Sequence, residues 1–387
     1  MAKQSYIGID GTARKVKNMY IGIDNVARKI KKAYIGINGV ARLFYSGSLF
    51  EYYGVTSMNE ARYNCPTANI GDKYLLIAGG RNYPSTLKTV ESYNTNLAKT
   101  TFLDLPEQKQ KFVGVSVNSS FGTYAVFAGG YNDTNMCSSI TAYDADKTKL
   151  TMYNLSQARC QLGGTAVGDK IIFGGGDSSA LSSSYESTRV DAYTAVGLAA
   201  TNPSNLSYGK IGLSAAATAN YAFFFGGMAF YNDESNYTID VYKSTLTKQT
   251  SITTTNSVSG GHPCGQAAVS FNGYALALEY YGGYNVMNIN NNLVQGNIIK
   301  LSATGNPILI ATQNYAICAT PKYGKIYVID KNLTKISVDI SLQSEQFTSA
   351  TDIFGGTIGD YILVGGDYDT SNNWAGYDTI DIFKINE

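Results

Sequence analysis

The chain has 387 residues, 44% of them hydrophobic and 15% charged, with a formal net charge of +1. This apolar share excludes a disordered polymer, and 40 glycines and 31 tyrosines beside so few charges argue for short strands and tight turns over a helical bundle. A single histidine, His262, excludes His-rich zinc, copper and non-haem iron sites, so no metal and no cofactor is expected.

Residues 1–47 hold nine Lys or Arg and two Asp, so a basic leader precedes a mildly acidic body, and two modules with different tasks are expected. The opening Met-Ala-Lys-Gln-Ser is not followed by the apolar stretch of a signal peptide. No apolar run reaches the roughly 18 residues of a membrane span, so no membrane insertion is expected. A motif of 14-residue period occurs three times: YIGIDGTARKVK from Tyr6, YIGIDNVARKIK from Tyr20 and YIGINGVARLFY from Tyr34. Asp10-Gly11 and Asn38-Gly39 are strong two-residue hairpin signals, because a type I′ turn needs positive φ at both positions; Asp24-Asn25 is a weaker one. Each copy therefore predicts a hairpin, and the three together a small meander with a basic face. Its few apolar side chains cannot stabilise it alone, which implies packing on a partner or on further copies of itself.

The body, 48–387, repeats more loosely. An apolar strand ends in a Gly pair at YLLIAGG (74–80), YAVFAGG (124–130), KIIFGGG (170–176), YAFFFGG (221–227) and YILVGG (361–366). YALAL (274–278) and YAICA (315–319) fill the long gap as degenerate copies, making seven units of about 49 residues, the size of a propeller blade. A further strand follows each, as in VESYNTNL, ITAYDAD and IDVYKSTL, with an outer strand and a corner carrying Arg62 or Arg159 after that. The last unit, ending near Glu387, lacks a fourth strand. Leu49–Val55 (LFEYYGV) reads as an orphan fourth strand and is expected to close the last blade, leaving the ring without a large free edge. The Gly pairs are expected to permit close approach of strands near the axis.

These Gly pairs, each followed by an aromatic shortly before a turn, resemble kelch repeats. The resemblance implies an all-β fold, a seven-bladed kelch-like β-propeller preceded by a small β-hairpin repeat domain. The tandem YIGI(D/N)-x-x-AR pattern of residues 5–47 resembles a leader on structural and tail-region proteins of phages and prophages of Gram-positive gut bacteria. That resemblance implies a virion protein made in the host cytoplasm and present in several copies per particle. Its leader would dock onto other virion proteins through Tyr6, Arg14, Tyr20, Arg28, Tyr34 and Arg42. Nucleic acid is not expected as a partner, since no base-stacking pattern accompanies the basic residues.

Kelch enzymes of the galactose oxidase type hold copper with two histidines and two tyrosines, which His262 alone cannot supply. The arginine triad and Ser-x-Asp box of sialidase-type propellers are also missing. His262-Pro263-Cys264 reads as structural, and the five cysteines as buried free thiols. No enzymatic activity is expected. The loops after the Gly pairs share one face and are rich in Tyr, Asn, Asp and Ser. Aromatic faces beside paired donors and acceptors suit carbohydrate, and Tyr131, Asp133, Tyr231, Asp233, Tyr368 and Trp374 are the candidate ligand-binding residues. The expected function is attachment to a host-surface glycan or protein. Two alternatives are an architectural capsid or tail decoration and a polysaccharide-degrading enzyme with two carboxylates about 5–10 Å apart.

Overall fold

The computed structural model describes the chain except residues 1–5, 10–11, 16–18, 24–25, 31, 38–39, 47–48, 180–185, 195–199, 228–236, 255–256, 259–265, 281–282, 305, 321–324, 337, 339–341, 343–352, 370–373 and 387. No α-helix occurs among the described residues, and the body forms seven antiparallel sheets, the blades of a β-propeller. Their innermost strands are Thr67–Ile70, Val113–Ser119, Gly163–Val167, Ser214–Ala217, Ala268–Phe271, Ile308–Ala311 and Ile353–Ile358. Each touches the next, and the seventh touches the first, so the ring is closed.

Within a blade the chain steps outward. Blade 1 runs through Thr67–Ile70, Tyr74–Ala78, Val90–Asn94 and Lys99–Thr101. The second strands are buried on both faces because neighbouring blades cover them, which is why they read as continuous apolar runs. Seven hydrophobic clusters fill the seams between blades. Blade 7 consists of Ile353–Ile358, Tyr361–Gly366, Thr379–Ile385 and, from the far end of the sequence, Phe50–Ser57, which pairs antiparallel with Thr379–Ile385.

The Gly pairs work at a different place from the one expected. Gly79 and Gly80 both have positive φ (54° and 97°), and the Gly80 amide donates to the Lys109 carbonyl at 2.9 Å, on the corner leading into blade 2. A Cβ on Gly79 would stand 2.6 Å from that same carbonyl. The pair thus seats the next blade's corner, not a strand at the axis. The corners ahead of blades 1, 2, 3 and 4 each carry a fully buried cation: Arg62, Lys109, Arg159 and Lys210. Three meet an acid on the third strand of their own blade, with Arg62–Glu91 at 3.3 Å, Arg159–Asp191 at 2.6 Å and Lys210–Asp240 at 3.5 Å.

The leader forms three hairpins, Tyr6–Ile9 with Thr12–Lys15, Tyr20–Ile23 with Val26–Lys29, and Lys32–Ile37 with Val40–Ser46. They are separate two-stranded ribbons, and no ladder joins one to the next among the described residues, so the expected meander is not formed. A glycine at the centre of each Tyr-Ile-Gly-Ile strand offers no side chain to brace a third strand.

Candidate functional site

On the face that carries the loops after the Gly pairs, segments of blades 7, 1 and 2 enclose a cavity of about 360 Å³. It is lined by Tyr63, Asn64, Arg81, Tyr83, Gln110, Lys111, Tyr368 and Trp374. The corner ahead of blade 1 supplies Tyr63 and Asn64, and the corner ahead of blade 2 supplies Gln110 and Lys111. Asn64 and Lys111 occupy equivalent corner positions with left-handed φ (53° and 54°), and the Lys111 amide donates to the Asn64 carbonyl at 3.1 Å. The bond repeats from Gln161 to Lys111 and from Gly212 to Gln161, so these corners form a hydrogen-bonded arc that fixes the floor of the cleft.

Aromatic rings form one wall. Tyr368 lies 4.7 Å from Tyr63 and stacks on Trp374 at 4.9 Å with 30° between the planes. Trp374 is 49% exposed and Tyr83 48% exposed. The Arg81 guanidinium sits over Tyr83, 5.3 Å from the ring centre. The two-residue pairing of Tyr368–Asp369 with Ala375–Gly376 holds the blade 7 loop, and the Gly376 amide donates to the Asn82 side-chain oxygen of blade 1 at 3.2 Å.

The polar groups are arranged around one carboxylate. Asp133 pairs with Arg81 at 3.3 Å, accepts from the Gln110 side-chain amide at 2.9 Å and accepts from the Thr86 hydroxyl. Three polar atoms of the lining residues remain buried without a partner: Asn64 Oδ1, Arg81 Nε and Gln110 Oε1. A buried polar atom left unpaired costs about 1–3 kcal/mol. All three belong to residues that line this cleft.

No family model matches this sequence, and no curated protein does. Among solved structures, the fold is similar to the crystal structure of virginiamycin B lyase from Staphylococcus aureus. The TM-score is 0.56 at 12% identity, over 87% of this chain and all of that one. The likeness is one of fold, the β-propeller.

Of the six loop residues selected from sequence, Tyr368 and Trp374 line the cleft. Asp133 and Tyr131 stand beside it with their polar groups engaged: Asp133 as above, and the Tyr131 hydroxyl on the Asp133 carbonyl at 2.8 Å. Asp133 therefore positions Arg81 and Gln110, with its side chain 29% exposed. Tyr231 and Asp233 lie outside the described residues, as do His262 and Cys264. Sequence reasoning passed over Arg81 and Tyr83, although they follow Gly79-Gly80 as Tyr131 follows Gly129-Gly130. It also passed over Asn64, Gln110 and Lys111, whose signal was the corner cation one or two positions earlier.

The other cysteines, Cys65, Cys137, Cys160 and Cys318, are buried free thiols. Among the described residues no cluster of His, Cys, Asp and Glu could hold a metal ion. In the leader, Tyr20 is 59% exposed beside exposed Ile21 and Ile23. Tyr6, Arg14, Arg28, Tyr34 and Arg42 lie in the hairpin strands.

Proposed function

We propose that this protein is a phage-particle component with a kelch-type propeller. Its leader docks onto other virion proteins, in several copies per particle, and its loop face attaches to a host-surface glycan. The observation that carries the attachment reading is the cleft at blades 7, 1 and 2, where the half-exposed Trp374, stacked on Tyr368, shares the lining with Tyr83, Arg81 and Lys111. Sugars present apolar C–H faces and hydroxyl edges together, and this combination of ring and polar side chain is the chemistry that recognises them. The exposed Tyr20, Ile21 and Ile23 support a docking role for the leader, because apolar side chains on a small ribbon are stabilised by burial against another surface.

The test is retention of the labelled full-length chain on intact host cells. The expected result is saturable retention that falls at least tenfold on Trp374→Ala, a half-exposed position whose loss leaves the blade cores intact. Equal retention of the variant and the parent would sink the attachment reading.

A further inference from the structure

We propose that the cleft engages a glycan as a chain, through at least two neighbouring sugar rings, one on Trp374 of blade 7 and one on Tyr83 of blade 1. The inference rests on the glycan reading above and specifies the length of ligand that the site requires.

Each aromatic ring sits on a two-rung hairpin. Arg81–Asn82 pairs with Ser85–Thr86, which places Tyr83 at the tip. Tyr368–Asp369 pairs with Ala375–Gly376, and Trp374 directly precedes the second of these strands. The two hairpins touch, and the Gly376 amide donates to the Asn82 side-chain oxygen at 3.2 Å. Tyr83 is the residue after Asn82, and Trp374 lies two before Gly376. The bond therefore fixes the two platforms relative to each other before a ligand arrives, which lowers the ordering cost of binding. Hairpins that abut in this way leave no slot between them at that point. The rings thus serve as neighbouring platforms, and not as the two sides of a sandwich around one sugar.

Both platforms are backed by the protein and still open to a ligand. Tyr368 stacks on Trp374 and the Arg81 guanidinium lies over Tyr83, yet each of the two rings stays about half exposed. Trp374 has a φ of 59°, in the left-handed region that glycine or asparagine takes at far lower cost than a bulky side chain. A large ring held half in solvent at such a position adds little to the blade cores, and contact with a ligand gives it a role there.

Both signs of charge surround the cleft. Arg81 and Lys111 line it, Asp133 pairs with Arg81, and Asp367 and Asp369 flank Tyr368. Stacking on the two rings, and not a net charge, therefore carries recognition.

The chain reports on this site directly, because Trp374 is its one tryptophan. The full-length protein is titrated with cello-, chito-, malto- and galacturono-oligosaccharides, each from the single sugar to the hexamer, following tryptophan emission. The expected result is a saturable emission change in at least one series, with the trimer bound at least tenfold more tightly than the single sugar. Tyr83→Ala keeps the reporter and is expected to weaken the trimer at least tenfold while changing the single sugar's affinity less than twofold. Tyr83→Phe, which keeps the ring, should bind the trimer within threefold of the parent. Equal affinity for single sugar and trimer in every responding series would overturn the proposal. So would a Tyr83→Ala variant that binds the trimer within twofold of the parent, or no emission change with any probe at millimolar concentration. The comparison of chain lengths uses the parent alone and stands even if Tyr83→Ala does not fold. The cell assay separates the two readings. Retention on cells without a preference for longer chains removes this inference and leaves attachment standing. A preference for longer chains without retention on cells does the reverse.

Discussion

The Tyr143 hydroxyl donates to the Leu103 carbonyl at 2.8 Å, tying the third strand of blade 2 to the chain leaving the outer strand of blade 1. The bond recurs around half the ring: Tyr93 to Ser57 at 3.1 Å, Tyr193 to Asn154 at 2.8 Å and Tyr242 to Ser204 at 2.8 Å. The equivalent positions in blades 5, 6 and 7 hold Ile289, Ile329 and Phe383, which contribute packing without a donor. The tyrosine clamp therefore runs along blades 7 to 4, and beyond them the seams are held by apolar packing and other hydrogen bonds, such as Ala217 N–H to Ser270 Oγ at 2.8 Å and Thr357 Oγ1 to the Ala311 carbonyl at 3.3 Å.

Tyr→Phe at 93, 143, 193 or 242 removes the donor and leaves a carbonyl short of a partner. A loss of about 1–2 kcal/mol per site is expected, near-additive because the seams are separate. Equilibrium urea unfolding of single and double variants measures it; losses under 0.3 kcal/mol would show that the hydroxyls are solvated equally well when the chain unfolds.

The Arg159–Asp191 pair, at 2.6 Å and with both side chains essentially unexposed, is expected to be among the most sensitive polar positions. Asp191→Asn strands a buried guanidinium whose pKa burial already lowers, against the pull of Asp191. The expected loss is about 3–5 kcal/mol. A double variant replacing both members with apolar residues should recover much of it, and chemical denaturation of the two variants tests the pair.

Lys109 is the corner cation without an acid across from it, since the position held by Glu91, Asp191 and Asp240 elsewhere is Thr141 in blade 2. Its ammonium bonds to the Ser139 hydroxyl at 3.1 Å and carbonyl at 3.3 Å, and burial lowers its pKa to about 8. The unfolded chain binds the proton up to a pKa of about 10.4. Between these values the unfolded state carries more protons, so the Lys109 contribution to stability rises with pH. Cys137 and Cys160 act in the opposite sense, because burial pushes their thiols up to about 12 and the unfolded state loses those protons first. The comparison that isolates Lys109 is the parent against Lys109→Met: from pH 8 to 10.5 the parent should gain up to about 3 kcal/mol relative to the variant. A flat difference across that window would mean that Lys109 is protonated in the fold throughout.

Much of the ring was legible because its constraints are local. A strand covered on both faces must be apolar at consecutive positions, so YLLIA and YAVFA announce second strands without help from partners. A Gly pair with two positive φ values is equally local. Blades 5 and 6 were legible only by counting, since neither keeps the pair. The cleft was half legible for a different reason. Tyr368 and Trp374 fit a rule about loop composition, whereas Asn64, Gln110 and Lys111 line the cleft only because the corners ahead of blades 1 and 2 are brought beside the blade 7 loop. The partners of Asp133 were not legible, because Arg81, Gln110 and Thr86 reach its carboxylate from blade 1 and from the corner ahead of blade 2. The separate leader hairpins show the same limit: turn chemistry defines each ribbon, but nothing in the repeat specifies what covers it.

Closure supplies the last prediction. Phe50–Ser57 is the outer strand of blade 7, yet it is eight residues long where the outer strands of blades 1 and 2 have three. Phe50 is 1% exposed, belongs to the cluster between blades 6 and 7, and meets Tyr315 edge-to-face at 5.2 Å. Val55 on the same strand is 58% exposed. Phe50→Ala should cost about 3–5 kcal/mol through the cavity it leaves, whereas Val55→Thr should stay within about 0.5 kcal/mol. The stronger signature is spatial. If this strand seals the ring, Phe50→Ala should raise amide exchange first in Thr379–Ile385, its ladder partner more than 320 residues away in sequence, and only later in blades 2 to 4. Uniform exchange around the ring would mean that the propeller opens as one unit and that the seam is no weaker than any other.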